Sequence, residues 1–272
     1  MRKWTTSGDL TPTEFTMYLT FFKQYRGPLL LVLVSIVAGA LFLHEPIPQM
    51  VGYNDFANQS SWMGLMHAEN VLTNLPFLLF GVWGIWRMRH FAIESKTERL
   101  AWLGFFVGVA LTAFGSSYYH LDPDNYRLVW DRLPIIFSFI CLFTAVLAER
   151  VSQRFAAVSF LPMVVYSVAT VIYWYLTETW GMGDMRPYIL VQLLPLLLVP
   201  LLLTLYAPRY THGWMLMMVA AWYLLAKLFE GCDAIVYQWS GHFSGHGMKH
   251  LLAAMACAQV IWMLEKRKGI FL

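Results

Sequence analysis

Apolar runs alternate with short polar connections along the chain, at residues 28–44, 67–88, 99–120, 132–149, 155–177, 187–206, 213–233 and 246–264. As helices rising about 1.5 Å per residue, most of them match the roughly 30 Å of hydrocarbon in a bilayer. The connections carry turn formers, such as Asp122, Pro123, Asp124 and Asn125 after the third run. Pro134 lies just inside the start of the fourth run, where a missing N–H is tolerated. Pro195 and Pro200 predict a kink in the sixth run. The pattern predicts an all-α polytopic membrane protein with eight spans. Residues 1–27 are polar to amphipathic, with 15–22 expected at the membrane interface. No small-residue cleavage site accompanies the first run, so a retained anchor is expected rather than a cleaved signal peptide.

Composition sharpens this picture. Of 272 residues, 58% are hydrophobic and 13% are charged, about half the charged share of a soluble domain. Charge also orients the chain. Numbering the connections alternately, one side holds Arg2, Lys3, Lys23, Arg26, Arg87, Arg89, Lys96, Arg99, Arg150, Arg154, Arg209, Lys266, Arg267 and Lys268. The other side holds Arg127, Arg132 and Arg186. That asymmetry predicts that both termini are cytoplasmic. The net charge of +3 lies in short loops and implies no nucleic-acid partner, and no obligatory protein partner is evident. Cys141, Cys232 and Cys257 lie in or near apolar runs and read as packing residues.

The polar residues within the runs concentrate at one depth. The last run opens with His246 and His250, whose spacing puts both imidazoles on one helical face. His120 ends the third run, and Asp131 opens the fourth eleven residues later. By the charge count all four lie toward the non-cytoplasmic face. Three histidines at matching depth suit Zn²⁺ and leave a fourth position open, although imidazole also serves copper, iron and nickel. His67 and His242 are second-rank candidates. Ser116, four before His120, reads either as a hydrogen-bond donor to a substrate oxygen or as a small residue that permits close helix packing. Asp131 reads either as a general base or as an ion-pair partner of Arg132 or Arg127. Lys227 and Glu230 are spaced to pair with each other. Glu69 and Asn74 should face protein or water rather than lipid.

A Ser, a His four residues on, an Asp eleven further, and a His-x-x-x-His opening the last helix together resemble the pattern of the alkaline ceramidase family. That family belongs to a superfamily of seven-helix intramembrane metal hydrolases that includes adiponectin-receptor-like proteins. The pattern is carried here by Ser116, His120, Asp131, His246 and His250. The resemblance covers residues 53–264. It implies a seven-helix membrane domain there, preceded by an N-terminal segment (1–52) with one extra transmembrane helix and followed by a basic tail (265–272).

The resemblance implies a zinc-dependent amidohydrolase that cleaves the N-acyl amide of ceramide, a membrane lipid, to a sphingoid base and a fatty acid. His120, His246 and His250 would be the zinc ligands, and Ser116 and Asp131 the catalytic residues. It also implies a calcium site with Asp55, Asn58 and Glu69 among its ligands. This sequence departs from the family there, because Asn58 falls at a usual Glu and Ser60 at a usual Asn. Hydrolysis of another lipid amide or ester, a receptor-like or signalling role with a structural zinc, and a haem protein with axial histidines are the competing readings. The compact chain points to a bacterial plasma membrane.

Overall fold

The computed structural model describes residues 12–270, with side chains from residue 24 onward. The expected interfacial placement of 15–22, and Arg2 and Lys3 of the charge count, concern side chains outside that range. The first compact unit, residues 1–43, contributes helix α1 (Pro12–Leu43). Its segment Gln24–Leu43 is apolar enough to cross a membrane, and the helix continues through Pro28 rather than starting there.

The second unit, residues 44–272, is a helical bundle. It contains α2 (Ala68–Leu72), α3 (Leu75–Arg87), α4 (Lys96–Leu121), α5 (Asn125–Arg150) and α6 (Gln153–Thr179). After these come α7 (Arg186–Leu205), α8 (Met215–Gly231), α9 (Asp233–Ser240) and α10 (Gly245–Lys266). Among the described residues of the chain, six helices are long and apolar enough to span, or seven if α8 and α9 form one bent span. This suits a multi-pass integral membrane protein. One expected run is interrupted. Residues 67–88 divide at Thr73 and Asn74, where buried Asn74 donates from Nδ2 to the Asn70 carbonyl at 2.8 Å and Pro76 begins a new helix. The 13 residues of α3 reach only about 20 Å. The run 213–233 corresponds to α8, and at its end the chain turns by 76° into α9. Pro195 and Pro200 both lie within α7.

Polar caps fix the helix starts. Ser95, Asp124, Ser152 and Ser244 each accept a backbone N–H of their own first turn. Close packing then brings α4 against α5. A Cβ on Gly115 would strike the Trp130 carbonyl, and one on Gly108 would strike the Ser138 hydroxyl. Glycine at these positions lets the two backbones approach, so Ser116 and Asp131 can meet.

At the opposite end of the bundle lies a buried ionic group. Arg267, which caps the C-terminus of α10, reaches Glu98 of α4 at 2.7 Å and Glu149 of α5 at 3.8 Å. Arg150 pairs with Glu149 at 2.9 Å, and the Trp102 indole donates to Glu98 at 3.2 Å. All four charged side chains are buried. Two basic residues of the charge count, Arg150 and Arg267, are therefore paired inside the bundle.

Candidate metal centre

His120 stands in the last turn of α4, while His246 and His250 occupy the first two turns of α10. All three are buried, and each offers a ring nitrogen within 4.8 Å of the others. The ring centroids form a near-equilateral triangle with sides of 4.9, 5.0 and 4.9 Å. No other group of three or more His, Cys, Asp or Glu among the described residues converges in this way.

Local structure seats the triangle. Ser244 caps α10 by accepting the Gly247 N–H at 2.9 Å. Gly245 has no room for a side chain, since a Cβ would strike the Phe229 carbonyl. The bend after α8 brings Asp233 alongside, where Oδ1 accepts the His246 backbone N–H at 2.7 Å and Oδ2 accepts that of Ala57 at 2.9 Å. Phe56, on the same loop, packs its ring 4.7 Å from His120 and 4.4 Å from His246. His67 adopts left-handed backbone (φ 46°) and donates from Nδ1 to the His120 carbonyl at 3.0 Å. It therefore supports a ligand from outside the triangle, and His242 is exposed.

The surroundings suit a cation. Thr73 Oγ1 donates to the Glu69 carbonyl at 2.8 Å and lies 2.9 Å from His250 Nδ1. With its proton committed, the hydroxyl accepts from Nδ1–H, and the Asn70 carbonyl offers His250 a second acceptor. His250 is thus held as the tautomer whose Nε2 lone pair is free for a metal. Nε2 of His120 and Nε2 of His246 face one another at 3.3 Å. The Lys249 ammonium also lies 2.9 Å from His246 Nε2, so an ion bound here would have to displace it. This donor set fits zinc and other imidazole-binding transition ions.

Ser116 is buried and lies beside the Asp131 carboxyl. Asp131 has neither of the ion-pair partners considered for it. Arg127 turns to Asp122 and Asp124, and Arg132 stacks among aromatic rings. Ser116, Asp131 and His250 line one cavity of about 550 Å³ between α4, α5, α7, α8 and α10. Most of its wall is apolar, including Val109, Leu142, Leu196, Val199 and Val219. Its polar residues include Lys227, Glu230 and Lys249. Lys227 pairs with Glu230, which also holds Lys249 at 3.1 Å. Tyr53 also lines the cavity, and burial, followed by the Glu230 charge, pushes its phenol above the ordinary range.

The three residues named for calcium are arranged differently. Glu69 Oε1 accepts the Ser244 N–H at 2.8 Å, and Oε2 takes the amide nitrogen of Asn58. Asn58 turns a donor toward Glu69, and its Oδ1 accepts the Ser60 N–H at 2.9 Å. Asp55 is exposed. Asn58 and Glu69 thus brace the start of α10.

Thr73, Asp233, Phe56 and Lys249 were not singled out from sequence for this site. A Thr four residues after a Glu that opens an apolar run carried some signal, but its partner is 177 residues away. Compared with models of known protein families and with curated protein sequences, the chain matches none.

Proposed function

We propose that the protein is a metal-dependent intramembrane hydrolase of a lipid amide, with ceramide the first substrate to test. The reading rests on one observation: three buried histidines converge beside a Ser116–Asp131 pair on the wall of a long apolar cavity. Such a cavity accepts hydrocarbon chains, while its few polar groups orient a head group.

His120, His246 and His250 would hold the ion, with zinc the best match to three imidazoles. When bound, it would supply Lewis acidity and lower the pKa of water toward about 7. Asp131, with one carboxylate oxygen lacking a protein partner, would accept the proton of the attacking water and return it to the leaving amine. Ser116, beside Asp131, would donate to the substrate oxygen as charge develops there. The apolar wall excludes competing water. In this reading both termini are cytoplasmic, the membrane is a bacterial plasma membrane, and the site opens toward the non-cytoplasmic side.

The test is metal content and fatty-acid release from ceramide by the purified protein in detergent, beside His250→Ala and Asp131→Asn. About one zinc per chain is expected, with both metal and turnover lost in His250→Ala. Asp131→Asn should keep the metal and lose about 10²- to 10⁴-fold in rate. Metal without release from any N-acyl or ester lipid would favour a receptor-like role with a structural ion. A chain that takes up no metal would end the proposal.

A further inference from the structure

Arg132 is 96% buried, at 4% exposure, yet takes part in none of the ion pairs among the described residues. A guanidinium stays charged and carries five N–H donors. Its described contacts are all neutral. Nη2 donates to Gln49 Oε1 at 2.8 Å and lies 3.8 Å from the Met185 sulfur. The guanidinium carbon lies 3.8 Å from the Trp174 ring, 4.6 Å from Tyr188 and 5.7 Å from Tyr53. Aromatic faces stabilise the cation by a modest amount, but they supply no acceptor for its remaining N–H groups.

Three buried donors around this guanidinium lack partners: Arg132 Nη1, Trp174 Nε1 and Gln49 Nε2. Arg132 can only donate, so it fixes the orientation of the Gln49 amide and leaves that NH₂ free. A buried donor without an acceptor is costly, and more so when charged. Three such donors at one place, with no protein acceptor among them, are complementary to oxygen. Arg132, Met185, Tyr53 and Tyr188 line the cavity, whereas Trp174 and Gln49 adjoin Arg132 without lining it. The neighbouring Asp131 makes no ion pair with Arg132.

We propose that Arg132, at the cavity wall, with Trp174 and Gln49 adjoining it outside the lining, forms a second polar subsite, which binds an anionic oxygen of the amphiphile: a carboxylate or a phosphate. Arg132 supplies charge and a forked donor, Trp174 and Gln49 supply neutral donors, and the rings hold the guanidinium flat. The subsite deepens the functional reading: ceramide itself is neutral, so the anionic oxygen would belong to the fatty-acid carboxylate released from it, or to a lipid amide with an acidic head group. It rests on the cavity as an amphiphile site and needs neither bound metal nor turnover.

The test is equilibrium binding of oleate, oleyl phosphate and oleyl alcohol to the full-length protein in detergent. Wild type is expected to bind at least one anionic probe about tenfold or more tightly than the alcohol, a difference of about 1.4 kcal/mol. Preference for oleate assigns a carboxylate, and preference for oleyl phosphate a phosphate. Arg132→Met should weaken the preferred anion about tenfold and leave the alcohol unchanged. Trp174→Phe keeps the ring, removes only the donor, and should cost about threefold for the anion alone; it reports even if Arg132→Met does not fold. Equal binding of the three probes by wild type, or an anion preference untouched in every folded variant, would overturn the proposal. Absence of metal or hydrolysis would defeat the functional reading and leave this result standing.

Discussion

Gly247 and the Glu69 carboxylate occupy one space: a Cβ on Gly247 would collide with Glu69 Oε1. The same carboxylate accepts the N–H and, at 3.3 Å, the hydroxyl of Ser244, so it holds the start of the helix that bears two of the three histidines. Gly247→Ala must displace either the Glu69 side chain or the start of α10. A loss of about 1–3 kcal/mol is expected, read as a lower melting temperature in detergent together with weaker zinc retention. An unchanged melting temperature would mean that Glu69 rotates away freely and that the cap has little structural weight.

Thr73→Val keeps the shape and removes the acceptor facing His250 Nδ1. Support of this kind typically accounts for 10- to 100-fold in metal affinity, and the Asn70 carbonyl remains as a second acceptor. A loss of about tenfold is therefore expected in competition with a fluorescent zinc chelator. Thr73→Ser, which keeps the hydroxyl, should restore most of it.

The Lys249 ammonium lies 2.9 Å from His246 Nε2 and 3.1 Å from Glu230 Oε1. A positive charge beside a ligand nitrogen opposes a cation, and Glu230 is the group that draws it aside. Lys249→Met is expected to bind zinc about tenfold more tightly, and Glu230→Gln more weakly by a similar factor. The same chelator competition reads both. Equal shifts in one direction would show that the two residues act through packing alone.

Asp184, in the connection before α7, accepts from Arg186 Nε and Nη2 at 2.9 Å each and from the Tyr173 hydroxyl at 3.1 Å. Burial alone would raise its carboxyl, but the hydrogen bonds from Arg186 outweigh it and hold the pKa below the usual range. A depressed folded pKa stabilises the protein at pH values above the unfolded value of about 3.9. That contribution falls away as pH drops through the folded value. Melting temperature followed below about pH 5 should therefore decline less steeply in Asp184→Asn than in wild type, from a lower starting point at pH 7.

The triangle of histidines was legible because its signals are short-range. Ser116 and His120 share a helical face, as do His246 and His250, and a turn of known sense joins His120 to Asp131. Its supports were not, because Thr73, Asp233 and Phe56 reach it only through packing between distant segments. Hydropathy read 67–88 as one continuous span, since two asparagines barely lower an average, although buried Asn70 and Asn74 stand where α2 gives way to α3. Counting intervals set Asp55, Asn58 and Glu69 together, but interval says nothing about which end of an amide points inward, and Asn58 points its nitrogen. Arg132 read as a loop charge or a partner for Asp131, and a stacked guanidinium leaves no periodic trace.

Helix α10 closes both ends of the bundle, with the histidine pair at one and Arg267 at the other. The ribosome delivers it after α1 to α9. Until it inserts, His120 faces no other imidazole, and Glu98 and Glu149 lack the guanidinium that lies between them. Metal uptake and neutralisation of the inner end are thus tied to a single late insertion event. In a nascent chain arrested before residue 245, Glu149 would still have Arg150, but Glu98 would lack its only ion-pair partner among the described residues.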